Sequence, residues 1–451
     1  MPQMPRQLGL PFVGRGEAPR DARSVEVSTA DRARETPGAS DLLDRVLSRA
    51  NLQAAFRRVK KNKGSPGIDG MTVDELGPYL VTEWPTHKEE LLSGRYRPAP
   101  VKRQLIPKPG GGQRQLGIPT VLDRFIQQAL LQVLQPIFDP GFSEHSYGFR
   151  PGRGAHDAVL AAQRFVQNGR RIVVDVDLEK FFDRVNHDIL MDRVARRVDD
   201  KRVLRLVRRY LEAGIMADGV VMERHEGTPQ GGPLSPLLAN ILLDEVDQEL
   251  ERRGHSFARY ADDLNVYVCS KRAGERVMHL LQRLFGRLRL KVNPSKSGVE
   301  SVTKRQFLGF SFWFSVGKVT RRRISPKSLK RFKQRVRELT RRNCGKSMEQ
   351  VVERLRSYLL GWRAYYGLTE TPGKLSDLDK WIRHRLRCIQ LKQWKRGTTV
   401  YRELKARGAS DDDARYVAAN ARRWWRNSSM RLNRALPNSL FDQLGVPRLA
   451  A

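Results

Sequence analysis

Tyr260-Ala261-Asp262-Asp263 sets two adjacent carboxylates between two runs of strand formers, Ser256-Phe257-Ala258-Arg259-Tyr260 and Leu264-Asn265-Val266-Tyr267-Val268. No other stretch of the chain restricts its folding so tightly. The alternating runs predict a hairpin, and a tight hairpin turn normally takes Gly, Asn or a single Asp, because adjacent like charges repel. An acidic pair in that place asks for a cation. Magnesium suits the demand: it takes hard oxygen ligands from one or two carboxylates and from substrate phosphates, and a pair of ions clamps the attacking and leaving oxygens of a phosphoryl transfer. Taken by itself, an Asp-Asp pair is more often a solvated turn with two surface acids, so the surrounding sequence has to decide.

The charge balance points to a polyanion. Eighty-four Lys and Arg face 49 Asp and Glu, a formal net charge of +35 on 451 residues with a pI of about 10.7. Such a surface binds nucleic acid through counterion release and loosens as salt rises. An anionic membrane is the competing partner, but no apolar run approaches the roughly 20 residues that span a bilayer, and no signal peptide opens the chain. A soluble, cytoplasmic protein is expected, with no membrane partner. The three cysteines, Cys269, Cys344 and Cys388, are far apart and form no Cys-x-x-Cys pair, so buried reduced thiols are expected and neither disulfides nor structural zinc.

Residues 1–40 carry Pro, Gly, Arg and Ser without apolar periodicity and read as a disordered tail. Leu42, Leu43, Val46, Leu47, Leu52 and Phe56 then recur at helical spacing, and the helix ends in the basic, glycine-bearing run Lys60 to Gly67. Between Val101 and Leu116 two short strands are predicted around Gly110-Gly111-Gly112, with Lys108 and Arg114 flanking the turn. Those two cations either close over a triphosphate or belong to a plain surface hairpin. Leu122, Phe125, Ile126, Ala129, Leu130, Val133 and Leu134 mark an amphipathic core helix.

Two further runs bear on the acids. Ile172, Val173, Val174 and Val176 read as a buried strand on which Asp175 and Asp177 share a face. Carboxylates at the end of such a strand are costly unless a metal shared with Asp262 and Asp263, or nearby arginines, offset the charge. The run Gly227-Thr228-Pro229-Gln230-Gly231-Gly232-Pro233-Leu234-Ser235-Pro236 makes a stiff, closely approachable loop. A helix follows, with Leu237, Leu238, Ile241, Leu242, Val246 and Leu250 on its inner face.

These runs resemble, in order, the reverse transcriptases encoded by mobile group II introns. The resemblance extends from about Asn51 to the C-terminus. It is carried by Asn62 to Gly70, Leu105 to Pro109, Leu116 to Pro119, Tyr147 to Arg153, the Asp177 strand, Thr228 to Pro236, Tyr260 to Asp263 and Phe307 to Phe310. It implies an α+β right-hand polymerase: an N-terminal extension and fingers over residues 41–170, a palm over 171–320, a thumb or maturase domain over 321–396 and a small DNA-binding-like domain over 397–451. It also implies two Mg2+ ions held by Asp177 and Asp262, with Asp263 completing the acidic cluster and the Leu178 carbonyl as a further ligand. Phe182, five residues after Asp177, takes the place of the side chain that excludes a ribose 2′-OH, so dNTP is the expected substrate. Lys108 and Arg114 are expected on the triphosphate, Gln230 on the templating pair, and Phe307, Leu308, Gly309 and Phe310 on the primer. Lys296 is a candidate leaving-group acid, a phosphate contact or a solvated lysine.

Beyond Thr320 the chain turns more basic, with 33 Lys and Arg against 11 Asp and Glu over residues 321–451, which is +22 of the total. Leu329, Phe332, Val336 and Leu339 predict one helix; Val351, Leu355, Tyr358, Leu359 and Trp362 a second; Leu378, Trp381, Ile382 and Ile389 a third. Trp394, Trp424 and Trp425, set among basic residues, are expected to stack in a nucleic-acid groove, with Arg150 and Arg153 as further contacts. The run Asn433 to Asn438 resembles the version found in bacterial class C introns, and no His-Asn-His endonuclease module is recognised in the chain. The implied partners are group II intron RNA, template RNA and a DNA primer or target, with a homodimer left open. The implied function is RNA-directed DNA polymerisation together with help in splicing and retrohoming. The alternative is a non-enzymatic RNA-binding splicing factor with a vestigial polymerase core.

Overall fold

The computed structural model describes residues 41–107, 111–217, 220–222, 226–229, 231–343, 345–428 and 431–450. The expected tail over residues 1–40, and Lys108, Gln230 and Cys344, lie outside them. The described chain divides into two compact units, residues 41–301 and residues 302–450. Each has its own apolar core, and helices and strands are mixed.

In the first unit a four-stranded antiparallel sheet runs in the order Ser256–Tyr260, Asp263–Val268, Ile172–Val176, Gly298–Ser301. Side chains alternate across it, which gives it two unlike faces. Val174, Val176, Leu264, Val266 and Val268 share one face and are buried in the core. The helix Lys271–Arg287 covers that face so closely that a Cβ on Gly274 would stand 2.4 Å from Val299 Cγ1. Asp175, Asn265 and Tyr267 share the opposite face, where the helix Ala155–Gln167 brings Phe165 to 5.8 Å from Tyr267 between ring centres. The period-two pattern therefore sorts apolar residues to one side and the acids to the other.

A second sheet holds the expected hairpin, Val101–Pro107 against Gln113–Ile118, with Ile215–Ala217 parallel to the first strand and Val220–Met222 beyond it. The helix Val121–Phe138 starts at Thr120, whose side chain accepts from Asp123 N–H, and buries all seven apolar positions predicted for it. The helix Ser235–Arg252 likewise buries all six of its own. One prediction needs correcting at the start of the unit. The apolar pattern from Leu42 to Phe56 is not one helix but two, Leu42–Val46 and Arg49–Asn62, because Ser48 adopts extended geometry between them. Apolar spacing survives such a break, so the pattern could not reveal it.

The second unit opens with a hairpin, Phe310–Phe314 against Thr320–Ile324. The helices Pro326–Leu339, Met348–Tyr366 and Pro372–Trp394 follow, and they carry the three predicted stripes. Shorter helices, Gly397–Ala406 and Asp411–Ala419 among them, complete the unit. Its end is pinned by charge. Arg383, 1% exposed, pairs with Asp379 and Asp442, and Asp379 accepts the backbone N–H groups of Leu449 and Ala450 at 3.0 and 3.1 Å. Cys388 is buried as expected, but Cys269 is exposed, because it stands just past the end of its strand. Among the described residues no helix is long and apolar enough to cross a membrane.

The Gly274 contact yields a test. A helical Gly→Ala change in open surroundings gains up to about 1 kcal/mol. At Gly274 the added methyl meets a β-branched side chain fixed in a strand, so Gly274→Ala is expected to lower stability by about 1–3 kcal/mol. Urea unfolding measures it, and an unchanged or raised midpoint would show that helix and sheet are not in this contact.

Candidate active site

Register brings the acids together. Val176 pairs with Leu264 across the two central strands, so the next step places Asp177 opposite Asp263. Tyr260 pairs with Asp263, which leaves Ala261 and Asp262 as a two-residue turn, with Ala261 in the left-handed region at φ 58°. Asp177, distant in sequence, thus joins the adjacent Asp262 and Asp263 at one sheet end.

The turn is held from below. Arg259, 1% exposed, lies on the apolar face because it pairs with Leu264. Its Nε donates to both oxygens of buried Asp247 at 2.8 and 2.9 Å, and one Nη donates to Asn240 Oδ1 at 2.9 Å and to the Ala261 carbonyl at 3.0 Å. The other Nη donates to Ser146 Oγ at 2.7 Å. Asn240 in turn donates to the Gly148 carbonyl at 2.9 Å. Gly148 lies so close to the turn that a Cβ there would sit 2.3 Å from Ala261 N. The Tyr147 to Arg153 run is therefore a brace for the acidic hairpin.

Asp177 is held through its backbone. Asn293 N–H donates to its carbonyl at 2.8 Å, and its own N–H donates to Ser297 Oγ at 3.0 Å. Leu178, buried, bridges to Val292. Lys296 Nζ lies 3.2 Å from Asp177 Oδ2, an ion pair open to solvent on both sides. This is where the structure puts the lysine of the Asn293 to Ser297 loop.

The electrostatics single out Asp263. It keeps a partly open surface yet lies among many protein atoms, and burial pushes its carboxyl well above the usual range, with the charges of Asp175, Asp262 and Asp177 adding to the rise. Asp262 is raised by burial and by Asp177, while Arg114 and Arg259 oppose the rise. Arg114, predicted on the neighbouring sheet to bind triphosphate, is thus close enough to act on Asp262. Among the described residues no group of three or more His, Cys, Asp or Glu side chains is set to hold a metal as it stands. The acids adjoin, and carboxylate oxygens are the donors a hard divalent cation takes; the charges of Asp175, Asp262 and Asp177 all push Asp263 upward. The three carboxylates fit Mg2+ by chemistry, and the side chains have still to converge.

The loop before the Ser235–Arg252 helix packs against the same region. Thr228 N–H donates to the Phe182 carbonyl and Gly227 N–H to the Val185 carbonyl, both at 2.7 Å. Gly227 has φ 89°, and a Cβ there would meet the carbonyls of Phe182 and Asp183 at 2.9 Å. Buried His187 bonds the Gly227 carbonyl through Nε2 at 2.7 Å. At the loop's other end a Cβ on Gly231 would stand 2.5 Å from the Gly117 carbonyl. Phe182, half-buried, packs edge-on to Phe181 with ring centres 5.1 Å apart. Phe182 is bonded to Thr228, and the same loop meets the Gly117 strand, while Gln230 itself lies outside the described residues.

Other expected contacts fall elsewhere. Arg150 is buried and donates to Asp139, to the Ser143 carbonyl at 2.6 Å and to the Ser146 carbonyl at 3.2 Å, so it is an internal clamp and presents no free cation. Arg153 is half-buried, lies over the Tyr147 ring and donates to the Glu144 carbonyl at 2.5 Å. Phe307 to Phe310 belongs to the second unit. Leu308 and Gly309, both at positive φ, turn between mutually bonded Phe307 and Phe310, and Tyr365 and Ser328 hydroxyls donate to the Leu308 and Gly309 carbonyls. Trp394, expected to stack on nucleic acid, is buried in that unit's core. Trp424 is half-buried with Arg342 and Lys392 over its ring at 4.7 and 4.9 Å, and Trp425 remains 50% exposed.

Arg259, Asp247 and His187 were missed. Two had a signal: Asp247 interrupts the inner stripe beside Val246 and Leu250, and period two puts Arg259 on the face of Phe257. A charge on each of two apolar faces is the mark of a buried pair.

Residues 106–312 match the family described as reverse transcriptase (RNA-dependent DNA polymerase), and residues 329–408 match the group II intron maturase-specific domain. The chain thus carries a reverse transcriptase domain, which has the right-hand polymerase fold, followed by a group II intron maturase-specific domain. Protein YkfC of Escherichia coli (strain K12) is 40% identical over 208 residues, 45% of this chain and 55% of that protein. The group II intron-encoded protein LtrA of Lactococcus lactis subsp. cremoris is 32% identical over 254 residues, 55% of this chain and 42% of that one. The chain thus spans about half the length of these relatives. Among solved structures, a chain of a partial Cas6-RT-Cas1--Cas2 complex is similar with a TM-score of 0.36 and 23% identity, covering 54% of this chain and 42% of that one.

Two outcomes are expected from the buried pair. Arg259→Met strands the Asp247 charge and should cost about 3–5 kcal/mol, and adding Asp247→Leu should recover most of that loss. Urea unfolding of the single and double variants decides it; additive losses would mean that the two residues do not form a unit. Asp244, one turn before Asp247, has its carboxyl raised to about 6, first by burial and then by the Asp247 charge. A raised carboxyl binds its proton more tightly in the folded state, so its favourable contribution is complete below about pH 4 and lost as pH rises through about 6. Asp244→Asn should therefore match the parent protein near pH 4 and exceed it by about 1 kcal/mol at pH 7, with solvent screening allowed for. A constant difference across pH 4–7 would refute the assignment.

Proposed function

We propose that the chain is an RNA-directed DNA polymerase that also binds group II intron RNA, promoting its splicing and its insertion by target-primed reverse transcription. The observation that carries this reading is the register that sets Asp177 against Asp263 beside Asp262, with Arg114 acting on Asp262. The maturase-specific match over residues 329–408 and the basic excess beyond Thr320 support the RNA-binding half.

In this reading residues 41–170 form the N-terminal extension and fingers, 171–320 the palm, 321–396 the thumb and 397–451 a DNA-binding-like domain. Asp177 and Asp262 would hold two Mg2+ ions, with Asp263 and the Leu178 carbonyl in support. Bound there, the metals would lower the pKa of a primer 3′-OH and neutralise the departing pyrophosphate. The protein's own share is positioning. Arg114 offers a forked donor to the triphosphate of a dNTP. Phe182, fixed by its carbonyl bond from Thr228 N–H and by packing on Phe181, closes the sugar side and disfavours a 2′-OH. Lys296 pairs with Asp177 in the resting site and would be free to meet phosphate were that carboxylate to hold a cation. Arg259 keeps the turn rigid so that Asp262 does not swing away.

Primer extension on an RNA template with Mg2+ and dNTPs tests the proposal. Asp262→Asn should lower extension about a thousandfold or more, the loss expected when several kcal/mol of transition-state stabilisation goes. Affinity for intron RNA should stay within about twofold. Parent protein that binds intron RNA and adds no nucleotide would leave the non-enzymatic splicing factor as the reading, and equal loss of extension and binding in the variant would make the acids structural.

A further inference from the structure

We infer that the second unit carries a pocket for a single unstacked nucleobase, lined by Trp381 and His384 and edged by Asn433 and Asn438. It rests on the nucleic-acid-binding reading above and names a base-recognition site within that surface. The cavity measures about 390 Å³ and is lined on one side by Lys380, Trp381, His384 and Arg387 of the Pro372–Trp394 helix, and on the other by Ser428, Asn433 and Asn438. That volume suits a small planar ligand.

Three features fit a base better than a bare phosphate. The first is aromatic surface. Trp381 is half-buried, and Trp425, 50% exposed, stands edge-on to His384 with ring centres 3.7 Å apart. Stacking on such rings is tolerant of base identity. The second is the polar edge. One Arg387 Nη donates to the side-chain oxygens of both Asn433 and Asn438, the latter at 2.7 Å, which fixes both amides with their N–H groups directed away from that guanidinium. His384 Nδ1 meets Ser428 Oγ at 3.2 Å, while its Nε2 is buried and has no partner. Amide donors and an unpartnered ring nitrogen are what the edge of a base would satisfy. The third is the cationic frame. Lys333 and Arg337 lie 6.0 and 5.7 Å from the Trp381 ring centre, placed to meet the phosphates beside an inserted base, while Arg385, 5.5 Å from the same centre, is held by Thr340 Oγ1 at 2.7 Å and frames the ring from inside.

The test separates base from backbone. Full-length protein is titrated with five-nucleotide single strands, RNA and DNA, each made with a central adenine and with an abasic centre. Phosphate contacts are common to both forms. The adenine form should bind about tenfold tighter than the abasic form, and the sugar with the larger ratio identifies which strand the pocket serves. Trp381→Ala should bring the ratio close to one while abasic binding is unchanged. Trp425→Ala, at a half-exposed side chain whose loss leaves the fold intact, should lower it severalfold; thermal melting checks the folding of both. A ratio near one in the parent protein, or a ratio that neither variant lowers, overturns the pocket. Failure to bind even the abasic strands would overturn the nucleic-acid reading with it, whereas primer extension judges the polymerase reading separately.

Discussion

The first unit is organised around the buried ion pair of Arg259 and Asp247. Removing two charges from water is costly, and attraction between them offsets that cost only when every remaining donor and acceptor is also met. Here it is. The guanidinium reaches Asp247, Asn240, Ser146 and the Ala261 carbonyl, so its five N–H groups have partners inside the protein. Those four partners come from three elements. One side chain therefore sets the long helix Ser235–Arg252, the loop before Gly148 and the tight turn of the acidic hairpin in a single register. A hydrophobic residue would fill the space but could not specify the turn, since it has no donor for the Ala261 carbonyl.

That rigidity matters because the acids above it repel one another. Asp263 is crowded by Asp175, Asp177 and Asp262, and a flexible hairpin would relieve the repulsion by opening. The Arg259 network below and the Asn293 to Ser297 loop at the side prevent it, the first by gripping the turn and the second by gripping the Asp177 backbone. Lys296 pairs with Asp177 from an open position, which balances charge without closing the site. The scaffold thus holds like charges in a fixed place, which is the demand that a divalent cation would meet in the proposed function.

Much of this was legible in the sequence, and the limits have physical causes. Alternation in 256–268 and 172–176 revealed both strands and the hairpin, because period two is forced by strand geometry. The helices Val121–Phe138 and Ser235–Arg252 followed from apolar spacing. The pairing of Asp177 with Asp263 did not follow from any local pattern; it came from the family resemblance, since strand order is a long-range property. Arg150 and Trp394 show the opposite failure. Arg150 follows Phe149, whose left-handed φ of 61° folds the chain back so that the guanidinium meets carbonyls instead of solvent. Trp394 lies three residues after buried Leu391, on the inner side of its helix, and that phase outweighs its basic neighbours. Composition named the residue types correctly and could not say which way they face.

The same point changes how the net charge is to be used. Among the described residues Arg150, Arg259, Arg383 and Arg387 are buried, and their donors go to carboxylates, amides and carbonyls within the protein. Asp247 and Asp379 are buried with them. Charges of both signs are thus withdrawn from the surface, and the excess of +35 overstates the number of free cations while leaving its sign intact. Salt dependence of binding reports the phosphates contacted, not the net charge of the chain, so its slope follows from the exposed arginines and lysines alone. Buried arginine in this protein is a building material and exposed arginine a binding surface, and burial in the fold, more than position in the sequence, assigns each residue to one use or the other.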